Sequence, residues 1–129
     1  MGLDFNHSEV GWSYRGFGDF RAKLAKEIGI DLDKMEGFAS GGYDYKSGEF
    51  EEYVWGTISW DTVTDDIKDL LNHSDCDGNL SPEQCGVIAP RLKELVSNWN
   101  DDDWDKRKAL ELAEDMQWCY KNNETLEFI

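Results

Sequence analysis

His73-Ser74-Asp75-Cys76-Asp77-Gly78-Asn79-Leu80-Ser81-Pro82-Glu83-Gln84 is the segment around which the rest of the chain arranges itself. Its spacing is close to that of the twelve-residue calcium loop of an EF-hand. Asp75 and Asp77 stand at loop positions three and five, and Gly78 at position six, where the chain turns sharply. Leu80 takes the apolar position eight and Ser81 the ligand position nine. Two positions depart from the pattern: His73 replaces the first acidic ligand, and Gln84 replaces the bidentate Glu, with Glu83 one residue away. A hard cation takes most of its affinity from that bidentate carboxylate, so the sequence favours a metal-free loop that keeps the turn. The metal reading, a degenerate calcium site, rests on Asp75, Asp77, Ser81 and Glu83.

Such a loop needs a helix on each side. Upstream, Thr62 or Thr64 can cap a helix running to Leu71, with Val63, Ile67, Leu70 and Leu71 on one face. Downstream, Ser81-Pro82-Glu83-Gln84 combines a Ser cap, Pro at the first helical position and Gln three residues after the cap. The helix it opens carries Val87, Ile88, Leu92, Leu95, Val96 and Trp99, and Pro90 predicts a kink or break near Ile88–Ala89. The helix–loop–helix therefore covers about residues 64–97. Asn100 or Asp101 caps a further helix to about Tyr120, its first turn rich in Asp as the helix dipole prefers. Nearer the N-terminus, Phe17, Phe20, Leu24 and Ile28 form one stripe of a helix over 16–28 that Gly29 ends. Between the helices, residues 37–50, with Tyr43 and Tyr45 among four glycines, read as a loop or irregular hairpin. Residues 53–60 are β-prone, suited to a hairpin edge or to pairing with a short N-terminal strand. Thr125–Ile129 reads as a terminal strand or extended tail. The expectation is one α+β domain over 1–129, mostly helical, with about four helices and a short β-hairpin or edge strands.

Composition bounds the function. The 129 residues carry 13 Lys+Arg against 28 Asp+Glu, a net charge of −15, yet 13% are aromatic, so the acidity is not that of a disordered chain. A negative far field disfavours direct nucleic-acid binding, and no run approaches the ~20 apolar residues of a spanning helix. The Met1-Gly2-Leu3-Asp4 start lacks a charged and an apolar leader region, and the expected setting is soluble and cytoplasmic. Three cysteines, Cys76, Cys85 and Cys119, suit free thiols. His73, Cys76 and Cys85 do not complete a zinc site, and a His73–Cys76 nucleophile lacks an orienting partner and an oxyanion hole. No enzymatic activity is expected.

Two further groupings suggest binding. Trp12-Ser13-Tyr14-Arg15-Gly16-Phe17-Gly18-Asp19-Phe20-Arg21 interleaves aromatics, which stack on rings, with arginines, which clamp anions. Its plainer reading is a core face with arginines paired to nearby acids. The acids themselves form clusters: Glu51 and Glu52 beside Glu49; Asp61, Asp65 and Asp66 beside Asp69; and Asp101, Asp102 and Asp103 beside Asp105. Residues 31–69 alone hold eleven acids and three lysines. Clusters like these are ordinarily solvated, but with Trp60, Trp99 and Trp104 beside them they also suit a partner's cationic groove.

Several of these segments together resemble a family of small uncharacterised proteins encoded by bacteriophages and prophages. They are Met1-Gly2-Leu3-Asp4-Phe5-Asn6-His7, Trp12-Ser13-Tyr14-x-Gly16-Phe17, Gly29–Asp33, Leu70–Gly78, Ser81-Pro82-Glu83, Ala89–Leu92 and Leu126-Glu127-Phe128. The family pattern has Glu where this chain has Gln84, a further mark against calcium. The resemblance implies a setting, an infected bacterial cell, and no established activity. The leading expectation is a non-enzymatic accessory protein that binds a host bacterial protein through Glu51, Glu52, Asp61, Asp65, Asp66, Asp101, Asp102, Asp103 and Trp104, plausibly against a defence system. The alternatives are a sponge for a nucleotide-like signal, using Trp12, Tyr14, Arg15, Arg21 and His73, and the degenerate calcium module.

Overall fold

A computed structural model describes residues 2–44, 46–75 and 77–129. The chain opens with an antiparallel pair, β1 (Gly2–Phe5) and β2 (Ser8–Ser13), and enters helix α1 (Tyr14–Glu27) directly. Ser13 caps that helix, its hydroxyl accepting from the Gly16 N–H, and Gly29 leaves it at φ +78°. A second antiparallel ribbon follows, β3 (Ala39–Tyr43) and β4 (Phe50–Trp55). Next come a short helix α2 (Lys68–Leu71), the two-residue strand β5 (Asn79–Leu80), the long helices α3 (Pro82–Val96) and α4 (Trp104–Lys121), and the terminal strand β6 (Leu126–Glu127). The architecture is α+β and mostly helical, with the strands in small antiparallel pairs.

The core lies where α1, α3 and α4 meet the N-terminal pair. Phe17, Phe20, Leu24, Ile88, Leu92, Leu112 and Met116 are all but fully buried there. The α3–α4 approach is close because residue 86 is glycine: a Cβ at Gly86 would stand 2.5 Å from Cδ1 of Tyr120. Cys85 and Cys119, free and fully buried, face each other across the same seam. Burial pushes the Cys85 thiol up to about 12 and raises Cys119 as well, so both behave as small apolar fillers.

The ends of the chain close on one another. β6 pairs with β5 on one side, while Asp4 and Ile129 exchange backbone N–H···O bonds of 3.3 and 2.8 Å on the other. Phe128 bridges Phe5, packs its ring edge-on to Phe5 at 4.8 Å, and donates its N–H to the Gly78 carbonyl. The expected terminal strand is therefore the clasp between the N-terminal pair and the 73–80 loop.

Three sequence expectations are corrected or narrowed. α3 runs unbroken from Pro82 to Val96 with Pro90 inside it, so of the kink or break expected near Ile88–Ala89 the break does not occur. Ile88, Ala89, Leu92, Leu95 and Val96 are buried on both sides of the proline, and their burial holds the helix together across the missing N–H. The helix expected from residue 62 or 64 is reduced to a 3₁₀ turn (Trp60–Thr62) and the single turn of α2. Asp65 and Ser59 accept from the N–H groups of Ile67 and Asp61, and these local bonds compete with a continuous helix. Finally, of the two pairings open to 53–60, the hairpin is the one formed: its first residues, to Trp55, pair with β3, while the N-terminal strand pairs with β2 and the chain's last residues.

Candidate functional site

The 73–84 loop is built as a latch. Ser81 and Gln84 form a reciprocal capping box: the Gln84 N–H donates to the Ser81 hydroxyl at 3.1 Å, and the Ser81 N–H to Gln84 Oε1 at 2.8 Å. The Gln84 amide also donates to Asp69 at 3.1 Å, tying α3 back to α2. Two of the four expected metal ligands thus have other surroundings: Ser81 caps a helix, and Glu83 is exposed in its first turn. Among the described residues no group of three His, Cys, Asp or Glu side chains stands close enough to share an ion. Gly78 makes the sharp turn at φ +92°, as position six requires. Cys76, a member of the zinc and nucleophile readings, lies outside the described residues.

His73 faces inward. Its ring stacks on Phe128 with centroids 3.7 Å apart, Nδ1 lies 2.9 Å from the Ser74 carbonyl, and Nε2 lies 3.0 Å from the Asn79 carbonyl. Arg21 meets this loop from α1. Only 5% exposed, its guanidinium lies between the Phe17 and Phe38 rings, 4.7 and 5.3 Å from their centroids. Nη1 donates to the carbonyls of Leu71 and His73, while Nε is buried without a hydrogen-bond partner. Burial lowers the Arg21 pKa, and the charge of Asp75 acts against that shift. Arg21, Gly37, Phe38, Asn72, His73 and Asp75 line an open cleft of about 560 Å³.

Of the residues expected to hold a nucleotide-like ligand, the structure unites Arg21 and His73 and separates the rest. Trp12 is in the core, stacked on Phe20 at 4.8 Å, with its indole N–H donating to Asp105 at 3.0 Å. Tyr14 and Arg15 sit on the exposed first turn of α1. The cleft is lined by Arg21 and His73 and not by Trp12, Tyr14 or Arg15. Phe38 and Asn72 belong to the cleft instead, and neither stands out in the sequence.

The acidic clusters divide in the same way. Asp65 is held by Arg91, Nη2 to Oδ2 at 2.8 Å, and that hydrogen bond keeps its carboxyl below the usual range. Asp103 caps α4 and, with Asp105, takes the Lys23 ammonium at 2.8 and 3.2 Å. Lys23 of the basic island thus meets the acidic run at Asp103 and Asp105. Asp101 bonds Lys106 yet its side chain stays 93% exposed, and Asp61, Asp66, Asp102, Glu51 and Glu52 face solvent. Among the tryptophans beside these acids, Trp60 is buried, with its N–H on the Glu36 carbonyl, and Trp99 packs under Lys23. Trp104 is 70% exposed, with Arg107 over its ring.

The largest outward-facing apolar group is the β3–β4 ribbon. Its base is fixed: Gly56 donates to the Phe38 carbonyl, Thr57 and Ile58 donate to that of Lys34, and a Cβ at Gly56 would fall 2.0 Å from the Met35 carbonyl oxygen. Beyond the base every residue of β4 is exposed, and Tyr43, Phe50, Tyr53, Val54 and Trp55 are 54–67% accessible. Tyr53 stacks with Trp55 and meets Phe50 edge-on, so the three rings form one ladder. Gly42, at φ +99°, leaves room for the Tyr53 ring across the strand. Glu49, Glu51 and Glu52 interrupt the aromatics. Apolar residues lie on both faces of 53–60, so the sequence pattern does not say which face is left to solvent, and sequence reasoning misses these anchors.

Comparison with known protein families, curated proteins and solved structures finds no match to this chain.

Proposed function

We propose that this protein is a non-enzymatic binding protein that docks the β3–β4 ribbon and its flanking carboxylates into a cationic cleft on another protein. The observation that supports this reading is the ladder Phe50–Tyr53–Trp55, highly exposed on a strand with no core behind it. A two-stranded ribbon gains little from showing large aromatics to water, and patches of this kind mark interaction sites. Tyr and Trp are the commonest anchors at interfaces, and Glu49, Glu51 and Glu52 supply a rim that steers toward positive charge. Asp61, Asp66, Asp101, Asp102 and Trp104 are also exposed. With the resemblance to phage-encoded proteins, the partner in this proposal is a host bacterial protein used in defence.

The experiment compares affinity capture by the intact chain and by the double variant Tyr53→Ser/Trp55→Ser, at low and high salt. The expected result is a bacterial partner retained by the intact chain, released by salt and lost from the variant. The variant's stability should fall by no more than about 1 kcal/mol, because both side chains are exposed. Equal capture by the two proteins, or capture indifferent to salt, overturns the proposal.

A further inference from the structure

We infer that the cleft between α1, the Gly37–Ala39 segment and the Asn72–Asp75 segment is a binding site for a neutral, flat hydrogen-bonding ring, of the kind presented by the guanine edge. The argument begins with a pair of charges that do not meet. Arg21 and Asp75 both line the cleft, and Asp75 acts on the guanidinium through space, yet they form no ion pair within 4.0 Å. Arg21 cannot swing across, because Nη1 is tied to the Leu71 and His73 carbonyls and the guanidinium is held between two phenyl rings.

Its Nε remains a buried donor without an acceptor. That donor is closed off from the cleft, which is lined instead by the tethered Arg21 guanidinium and by the Asp75 carboxylate, with Asn72 beside them.

The formal charges of Arg21 and Asp75 cancel, and the protein as a whole is strongly negative, so a free anion is a poor fit. What fits is a neutral molecule whose own edge carries an acceptor beside a donor. The guanine edge has this arrangement: its O6 and N7 accept from arginine, and its ring N–H and amino groups donate to a carboxylate. Phe38 adds an apolar part to the lining, and about 560 Å³ falls within the usual range of small-molecule sites. Adenine reverses the donor and acceptor at the six position and would set its amino group against Arg21.

The test is titration of the intact protein with guanosine, with adenosine and inorganic phosphate as comparisons, followed by amide chemical shifts. Guanosine is expected to give saturable shifts at Phe38, Asn72 and Ser74, and phosphate none. Asp75→Asn, which leaves the Arg21 tether intact, should weaken guanosine binding at least about tenfold. Arg21→Lys should weaken it similarly, and a loss of fold in that variant leaves Asp75→Asn to decide. No saturable shift with guanosine, equal affinity for adenosine, or unchanged binding in Asp75→Asn overturns the inference. The ribbon variant Tyr53→Ser/Trp55→Ser should bind guanosine normally, which separates this site from the ribbon.

Discussion

At Gly78 the absence of a side chain decides the shape of the loop. A Cβ there would meet the His73 ring at 3.1 Å from Cε1, and φ is +92°, a region that L residues avoid. Gly78→Ala should therefore destabilise the protein by about 1–2 kcal/mol in urea unfolding. Asp65 gives a prediction in pH. Its carboxyl is held low, first by the hydrogen bond from Arg91, so its contribution is present above the unfolded carboxylate value of about 3.9 and is lost as pH falls through the lower folded value. Both side chains are partly solvated, and about 1 kcal/mol is a reasonable size. Arg91→Ala should lose that amount near neutrality and show a shallower decline below pH ~4 than the parent, read from urea midpoints across pH. At this scale the sequence is most readable where chemistry is local. Ser81, Pro82, Gln84 and Gly78 take their expected roles as cap, first turn, box and bend. Trp12, Asp65 and Asp103 are engaged by residues tens of positions away, and no local spacing reveals such partners.

Among the elements, α3 carries the clearest tension between local rule and tertiary packing. Pro90 is exposed, removes the N–H that would reach the Gly86 carbonyl, and is still accommodated because the opposite face is buried. Pro90→Ala restores a helix-favouring residue and that donor, and should stabilise the protein by about 1 kcal/mol or more in thermal or urea unfolding. The amphipathic stripes of α1, α3 and α4 were legible because burial on one face leaves a period in the sequence. The β1–β2 pair was less so: its turn at Asn6-His7 lacks the Asn-Gly or Asp-Gly signature, and Trp12 leads straight into a helix. The β3–β4 hairpin was legible as a hairpin edge, but its exposure was not, since apolar residues on both faces give no period that marks the solvent side.

For the whole molecule, the charge of −15 has two opposite consequences. Its acids repel one another, so moderate salt should raise the unfolding midpoint by screening that repulsion, provided the few ion pairs at Lys23, Arg91 and Lys106 count for less. The same salt should weaken the ribbon's proposed association with a cationic partner. Thermal unfolding and capture, measured over one salt series, are thus expected to move in opposite directions. Net charge is readable from composition, but its local cancellation is not. Lys23 lies against Asp103 and Asp105, eighty residues on in the chain, and only folding brings these charges together.

The hydrogen bonds exchanged by Asp4 and Ile129 give the backbone the connectivity of a nearly closed ring. The β1, β5 and β6 segments touch across most of the chain's length, so the contacts that set the loop are among the most distant in sequence. Folding is then paced by the search that closes this ring rather than by the helices, which form locally. A permuted chain, joined by a short linker at that seam and cut between the exposed Lys46 and Gly48 of the ribbon, would make the same contacts in a different order of synthesis.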